Sequence, residues 1–346
     1  VGASTVEGEE EIVVTSGATA GLNLLATAFG NASQGRGGEA ARRFAVKSGD
    51  EIVVSKAEHH SVLLPFQELA ARTGATLKWF DLDDEGRILA NTADEVITER
   101  TKIVAVTHVG NTTGAITDIA PIVKRAHEVG AVVVLDACQS VPHLKIDLHA
   151  LDVDFAAWSA HKMYGPTGVG FLYGKREMLE ALPPANFGGS MVELAWMDQE
   201  AQYMAPPARF EAGTQPVAQV VAAGVAAEWL MNIGMENLEA HERVIAGELL
   251  KMGQIEGVRI LGPHANERRI GTVAFEIEGV HPHDVGQFID AQGIAIRVGH
   301  HCAQPVHRHF GVYASNRASS GIYNCVEDAQ ALVEALKKVR PFFGVK

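Results

Sequence analysis

Cysteine is scarce: Cys138, Cys302 and Cys325 are the only three in 346 residues. They are too few and too scattered for a disulfide framework, and they fit a reducing, cytoplasmic setting. No apolar run reaches the roughly 18 residues of a membrane span, so no membrane partner is expected. Positive charge is also short, with 29 Lys and Arg against 42 Asp and Glu and a net charge of −13. Without a basic stripe, nucleic acid is not an expected partner. Residues 1–11 are acidic and lack the positive region and apolar core of a signal peptide. What is left is 47% apolar and 21% charged, enough for one large or two medium domains with a full core.

Two stretches organise the chain. Val132-Val133-Val134-Leu135 is an apolar, β-branched run that ends in the carboxylate of Asp136, the pattern of a parallel strand buried on both faces. A second run, Phe155-Ala156-Ala157-Trp158, ends in Ser159-Ala160-His161-Lys162. In open α/β sheets the carboxyl ends of such strands face the ligand crevice. A lysine held there loses charge on burial and becomes a nucleophile. A Schiff-base lysine and a carboxylate for a pyridinium nitrogen together form the signature of pyridoxal 5'-phosphate (PLP). The plainer alternative is that Lys162 caps a strand and points to solvent while Asp136 begins a turn.

Taken in order, Glu11–Thr15 reads as a strand and Ser16–Gly21 as the turn into a helix over Leu22–Phe29. Small residues and hydroxyls at a helix start suit a phosphate, although Ser16 serves equally as a plain cap. Asn31–Lys47 lacks apolar periodicity and reads as a mobile insertion. Strands follow at 51–55, 77–82 and 103–107, with His59 and His60 preceding a helix to Thr73. Asn111 sits after the third of these, in a substrate-binding position or an Asx turn. Strands alternating with helices predict a mostly parallel sheet with right-handed crossovers. Gly188–Pro207 reads as a long loop over the site, and Val217–Asn232 as a helix. After Gly234 the alternating run Thr272–Ile277 and flanking helices predict a smaller α+β unit. The expected division is 1–232 and 233–346.

Asp136-Ala-Cys-Gln139, Ser159-Ala-His161-Lys162-Met-Tyr-Gly-Pro, Arg209-Phe-Glu-Ala-Gly-Thr214 and Arg297-Val-Gly-His-His-Cys302-Ala resemble the class V aminotransferase family of PLP enzymes. Within it, the Gly-His-His-Cys-Ala run resembles the type II (SufS/Csd-like) cysteine desulfurases. The resemblance runs over essentially the whole chain. It implies a three-layer, mostly parallel α/β sheet in a PLP-transferase large domain, with a smaller C-terminal α+β domain. It implies Lys162 as the Schiff-base lysine, Asp136 on the pyridine nitrogen, Gln139 on the phenolic oxygen and His59 stacked on the ring. Thr19, Ser159 and His161 would hold the phosphate, with Thr214 supplied by the second subunit of a homodimer. At Ala18 many relatives carry a hydroxyl, which removes one contact there. Arg317 would clamp the substrate carboxylate, with Asn111 and Arg297 assisting. The resemblance also implies a leading segment with an Asp-Asn-Ala-Ala-like motif packed near the active site, whereas this sequence starts just before the first strand.

The implied reaction takes L-cysteine to L-alanine, with the sulfur passing to Cys302 as a persulfide and on to a SufE- or SufU-like acceptor protein for iron–sulfur cluster assembly. Lys162 would move protons, and the thiolate of Cys302 would attack the substrate sulfur. Cys138 and Cys325 read as packing residues. Selenocysteine lyase, another PLP β-lyase or an aminotransferase is the alternative within the same family. His300, His301, Cys302, His307 and His309 are metal-ligand types, but their spacing fits no closed zinc pattern and no metal is expected. His281 and His283 read as surface or capping residues.

Overall fold

The computed structural model describes Val1 and residues 11–345; the acidic lead-in at residues 2–10 lies outside them. Seven strands form the main sheet: β1 (Ile12–Thr15), β2 (Glu51–Ser55), β3 (Thr76–Phe80), β4 (Thr101–Thr107), β5 (Val132–Asp136), β6 (Phe155–Ser159) and β7 (Gly170–Gly174). Their order is β1-β7-β6-β5-β4-β2-β3. Neighbours pair in parallel from β3 through β6, and β7 runs antiparallel to both β6 and β1.

Both faces of the central strands β4, β5 and β6 are dry, which is why they read as apolar runs. Ile52, Val54, Ile103, Ala105, Val132 and Val134 enter one core with the helices Ala18–Ser33 and His60–Thr73. Their neighbours Val53, Val104, Val106, Val133 and Leu135 enter the other, with the helix Ala120–Glu128. The alternation of side chains along a strand thus builds three layers, as the family resemblance implies. Because the parallel strands point one way, Thr107, Asp136 and Ser159 finish along one edge.

Two expectations are corrected. Asn31–Lys47 is packed structure and not a mobile insertion: the first helix runs to Ser33, and Gly38–Ala41 and Arg42–Phe44 form short helical turns. Phe44 is buried and stacks on Phe29, ring centroids 5.5 Å apart, with Phe155 edge-on to Phe29. One buried aromatic orders the segment without any helical period to announce it. Gly188–Pro207 contains a two-stranded hairpin, β8 (Val192–Leu194) and β9 (Gln202–Tyr203). No residue of it lines the cavity described below.

Gly234, at φ 89°, ends the helix Val217–Ile233, and the helix that follows departs at 78°. No single helix among the described residues is long and apolar enough to cross a membrane. Beyond it, β10 (Val258–Ile260), β11 (Thr272–Ile277), β12 (Arg297–Gly299) and β13 (Ser315–Ser319) form an antiparallel sheet ordered β10-β11-β13-β12. Val273, Phe275 and Ile277 face the core beneath its own helices, whereas Ala274 faces the core of the large sheet.

The two sheets are joined by backbone. Ile270 N donates to the Gly114 carbonyl at 3.0 Å, and Ile116 N donates to the Arg268 carbonyl at 2.9 Å. Gly114 has φ 72°, and a Cβ there would stand 2.3 Å from the Thr272 carbonyl oxygen. Gly114→Ala is therefore expected to cost about 2–4 kcal/mol, from backbone strain plus overpacking. Gly130→Ala has the same sign of φ but nothing within 4 Å, and should cost only about 1 kcal/mol. Urea unfolding of both variants checks this, and equal losses would show that the junction yields freely.

Glu58, wholly buried where β2 turns into the next helix, accepts from Thr107 N at 3.1 Å and from the Ser55 hydroxyl, while its Oε2 has no partner. Burial, reinforced by Asp136 against the two hydrogen bonds, raises its pKa to about 8. The folded chain thus holds a proton that the unfolded chain releases near 4.5. This contribution to stability is complete below the unfolded value and is lost as pH rises toward 8. The melting temperature should fall between pH 5 and pH 9, and Glu58→Gln should flatten that fall. An unchanged slope in the variant would mean that Glu58 does not titrate in this window.

Candidate active site

At the carboxyl edge of β4, β5 and β6 lies a cavity of about 230 Å³. Of the residues singled out in the sequence, Ala18, Thr19, His59, Asn111, Asp136, Gln139, Ser159, His161, Lys162, Arg297 and Arg317 line it. Thr214 does not: it lines a separate cleft beside Val14 and Phe210. Cys302 stands just outside, half-buried, with its carbonyl accepting from His60 N at 2.8 Å.

Asp136 ends β5 nearly buried, and its Oδ1 accepts from Cys138 N at 2.9 Å. Lys162 comes from the helical turn that follows β6. Opposite them, Ser159 Oγ accepts from Ala18 N at 2.9 Å, joining the end of β6 to the start of the first helix. Its N-cap residue, Gly17, offers no side chain, and its first turn holds no acid. Gly17 and Gly170 allow the close approach, since a Cβ on Gly170 would lie 2.5 Å from the Gly17 Cα. Thr19 Oγ1 and Ser61 Oγ meet at 2.7 Å beside it.

His59 caps the helix His60–Thr73: its Nδ1 accepts from Ser61 N at 3.0 Å. Burial, aided by Lys162 and opposed by Asp136, lowers its pKa to about 4. It faces the cavity as a flat, neutral ring. The Cys138 thiol is pushed far up by burial and by Asp136, so it is an inert part of the wall rather than core packing alone.

The small sheet contributes the cationic side. Arg297 on β12 and Arg317 on β13 are cross-strand partners. Burial, then Arg297, lowers Arg317 to about 10, with Cys302 opposing. Its guanidinium donates to the Asn111 carbonyl at 2.8 Å, while its Nε is buried without a partner. Asn111 in turn donates from Nδ2 to the His301 carbonyl at 2.6 Å. His301 and Cys302 carry φ of 51° and 57°, a rare conformation for two successive residues with side chains and one that clusters at functional sites.

The donor set fits PLP. A carboxylate, an amine, a neutral ring and a helix start with hydroxyls stand around one cavity, beside the unpartnered Arg317 Nε. Cys325 is not a packing residue. It is exposed at the N-cap of the helix Val326–Leu336, where its backbone N donates to Asp328 Oδ2 at 3.1 Å. His281 caps the helix Pro282–Asp290, accepting from His283 N, as a capping reading expects. Among the described residues no three His, Cys, Asp or Glu side chains could share a metal ion. The sequence reading missed Ser61 and Thr107, which line the cavity; the hydroxyl two places after His59 was a capping signal that went unused.

Comparison with known proteins agrees with this geometry. The aminotransferase class-V family matches residues 4–332. A probable cysteine desulfurase 2 of Mycobacterium leprae is 47% identical over 337 residues, spanning 97% of this chain and 78% of the relative. The cysteine desulfurase of Haloferax volcanii is 40% identical over 338 residues, spanning 97% and 76%. Among solved structures, the cysteine desulfurase CsdA of Escherichia coli superposes with a TM-score of 0.88 at 35% identity, covering 96% of this chain and 80% of that one. The chain belongs to the aminotransferase class-V family.

Proposed function

We propose that this chain is a PLP-dependent cysteine desulfurase that converts L-cysteine to L-alanine and takes the sulfur onto Cys302. The observation that carries the reading is that Asp136 and Lys162 from the parallel sheet meet the Arg317 guanidinium from the antiparallel one in a single cavity, with the Cys302 loop bonded to its rim. The relatives' activity supports the same reading.

Asp136 would hold the proton of the pyridine nitrogen, Gln139 the phenolic oxygen, and His59 the ring face. Thr19, Ser159, His161 and the helix start at Ala18 would hold the phosphate. When bound there, PLP would supply an electron sink for the substrate's α-carbon. Arg317 would orient the cysteine carboxylate through charge-assisted hydrogen bonds, with Asn111 and Arg297 beside it. Lys162 would take the α-proton and return protons to carbon. Cys302, as thiolate, would attack the substrate sulfur. A sulfur–sulfur bond forms as the Cβ–S bond breaks, and its electron pair stays with the carbon fragment. Protonation of that fragment gives alanine, and Cys302 is left as a persulfide.

In this reading residues 1–232 carry the cofactor and residues 233–346 bring the thiol. Thr214, which lies outside its own chain's cavity, would complete the phosphate site of a second copy in a homodimer. The persulfide would pass to a SufE- or SufU-like acceptor protein for iron–sulfur cluster assembly.

Mixing the protein with PLP, L-cysteine and a reducing thiol should release alanine and sulfide in equal amounts. Lys162→Ala and Cys302→Ala should each abolish both products. Full turnover of cysteine by Cys302→Ala would sink the proposal. Arg317→Ala should raise KM for cysteine on the order of tenfold or more while leaving the PLP absorbance band in place. Unaltered KM would remove Arg317 from the substrate site.

A further inference from the structure

Ser315 stands on β13, fully buried, two residues before Arg317. Its hydroxyl oxygen lies 3.0 Å from His301 Nε2 and 3.0 Å from His307 Nε2. Both imidazoles are themselves buried. A hydroxyl has one hydrogen, so it can donate to only one ring and must accept from the other.

His307 decides which. Its Nδ1 lies 3.0 Å from the Ala303 carbonyl, and a carbonyl only accepts, so Nδ1 carries the hydrogen. Burial holds this ring below the ordinary histidine value, with His300 adding to it and the Ala303 and Gly299 carbonyls opposing. Burial thus favours the neutral ring, in which Nδ1–H leaves Nε2 as the acceptor. The Ser315 hydroxyl must donate to it. The same oxygen then accepts from His301, whose Nε2 carries the hydrogen.

That leaves His301 Nδ1 as a lone pair, and this atom is buried without a partner. A proton cannot fill the gap cheaply: burial, then Arg317, His307 and Arg297, lowers the His301 pKa to about 3. The ring is thus held at Ser315, through the hydroxyl and the backbone, in one tautomer. Its own backbone carbonyl is fixed from the opposite side by Asn111 Nδ2, at 2.6 Å. Between these two restraints begins the left-handed pair His301 and Cys302.

We propose that Ser315 locks His307 as the Nδ1–H tautomer and His301 as the Nε2–H tautomer, and that this lock holds the Cys302 loop in its left-handed conformation, making Ser315, His301 and His307 positioning residues for the sulfur-accepting thiol. The proposal rests on the role given to Cys302 above. None of the three touches the reacting atoms. They act through the backbone of the loop, and a displacement of about 1 Å at a reacting group costs on the order of a hundredfold in rate.

The direct test is the nitrogen spectrum of the resting protein labelled with 15N-histidine, assigned with His301→Gln and His307→Gln. The expected result is a bare Nδ1 on His301 and a bare Nε2 on His307, with His301 still neutral at pH 5. The opposite tautomers, or a mixture of the two, would overturn the lock. This readout needs no turnover, so it stands even if the desulfurase reading fails. In the active protein, Ser315→Ala should lower kcat on the order of tenfold or more with KM within about twofold and the PLP band unchanged. Ser315→Thr, which keeps the hydroxyl, should recover most of the rate. Full kcat in Ser315→Ala would equally overturn the positioning role.

Discussion

The site depends on the bonding of Asn111. This residue follows β4 of the large sheet, yet its carbonyl accepts from Arg317 of the small sheet and its side chain donates to the carbonyl of His301. Those two bonds tie the wall that carries Arg317 and His301 to the sheet that carries Lys162 and Asp136. The same loop carries Gly114, whose carbonyl accepts from Ile270 N within the small sheet's own approach strand. One short connection therefore ties the Asp136 and Lys162 side of the cavity to the Cys302 loop. Its sequence, His108 to Ile116, is almost wholly buried, so its backbone groups must find protein partners, and they find them partly within the loop and partly on the other sheet.

Charge in and around the cavity is sorted by burial. Glu58, His59, His108 and His301 are all driven toward their neutral forms, with burial the largest cause in each case. The cavity is lined by Asp136 and Lys162 from the large sheet and by the cross-strand pair Arg297 and Arg317 from the small one. An excess of cationic groups in a small cavity suits ligands that bring a phosphate and a carboxylate. The low local dielectric that neutralises the histidines also strengthens those few charged contacts.

Much of this was legible in the sequence because it is written in runs. The buried strands β4, β5 and β6 are continuous apolar stretches ending in a polar residue, and that pattern places Asp136 and Lys162 along one edge before any coordinates exist. Arg317 and Cys302 were legible only through resemblance, since no period or spacing announces that β13 and the loop after β12 reach the large sheet. Ser315 carried no signal at all: a serine beside an asparagine and an arginine reads as a polar surface, and only the tertiary fold buries it. Asn31–Lys47 failed for a related reason, because one phenylalanine stacked on another can order a segment that has no amphipathic repeat.

The conformation of the Cys302 loop ties these points together. Two consecutive residues with positive φ cost on the order of 1–2 kcal/mol each, and such a pair relaxes unless its surroundings hold it. Here the holds are separate in origin: Asn111 on the His301 carbonyl, Ser315 on the His301 ring, and His60 N on the Cys302 carbonyl. Two come from the large sheet's loops and one from the small sheet. The loop can keep its conformation only while both sheets keep their relative position, so the placement of the thiol reports on the integrity of the junction itself. Flexibility at Gly299, with φ 125° just before the strained pair, lets the chain enter this turn directly from β12. The thiol is thereby set at the rim of the cavity by backbone restraint, and its own side chain is left unengaged by the packing of the interior.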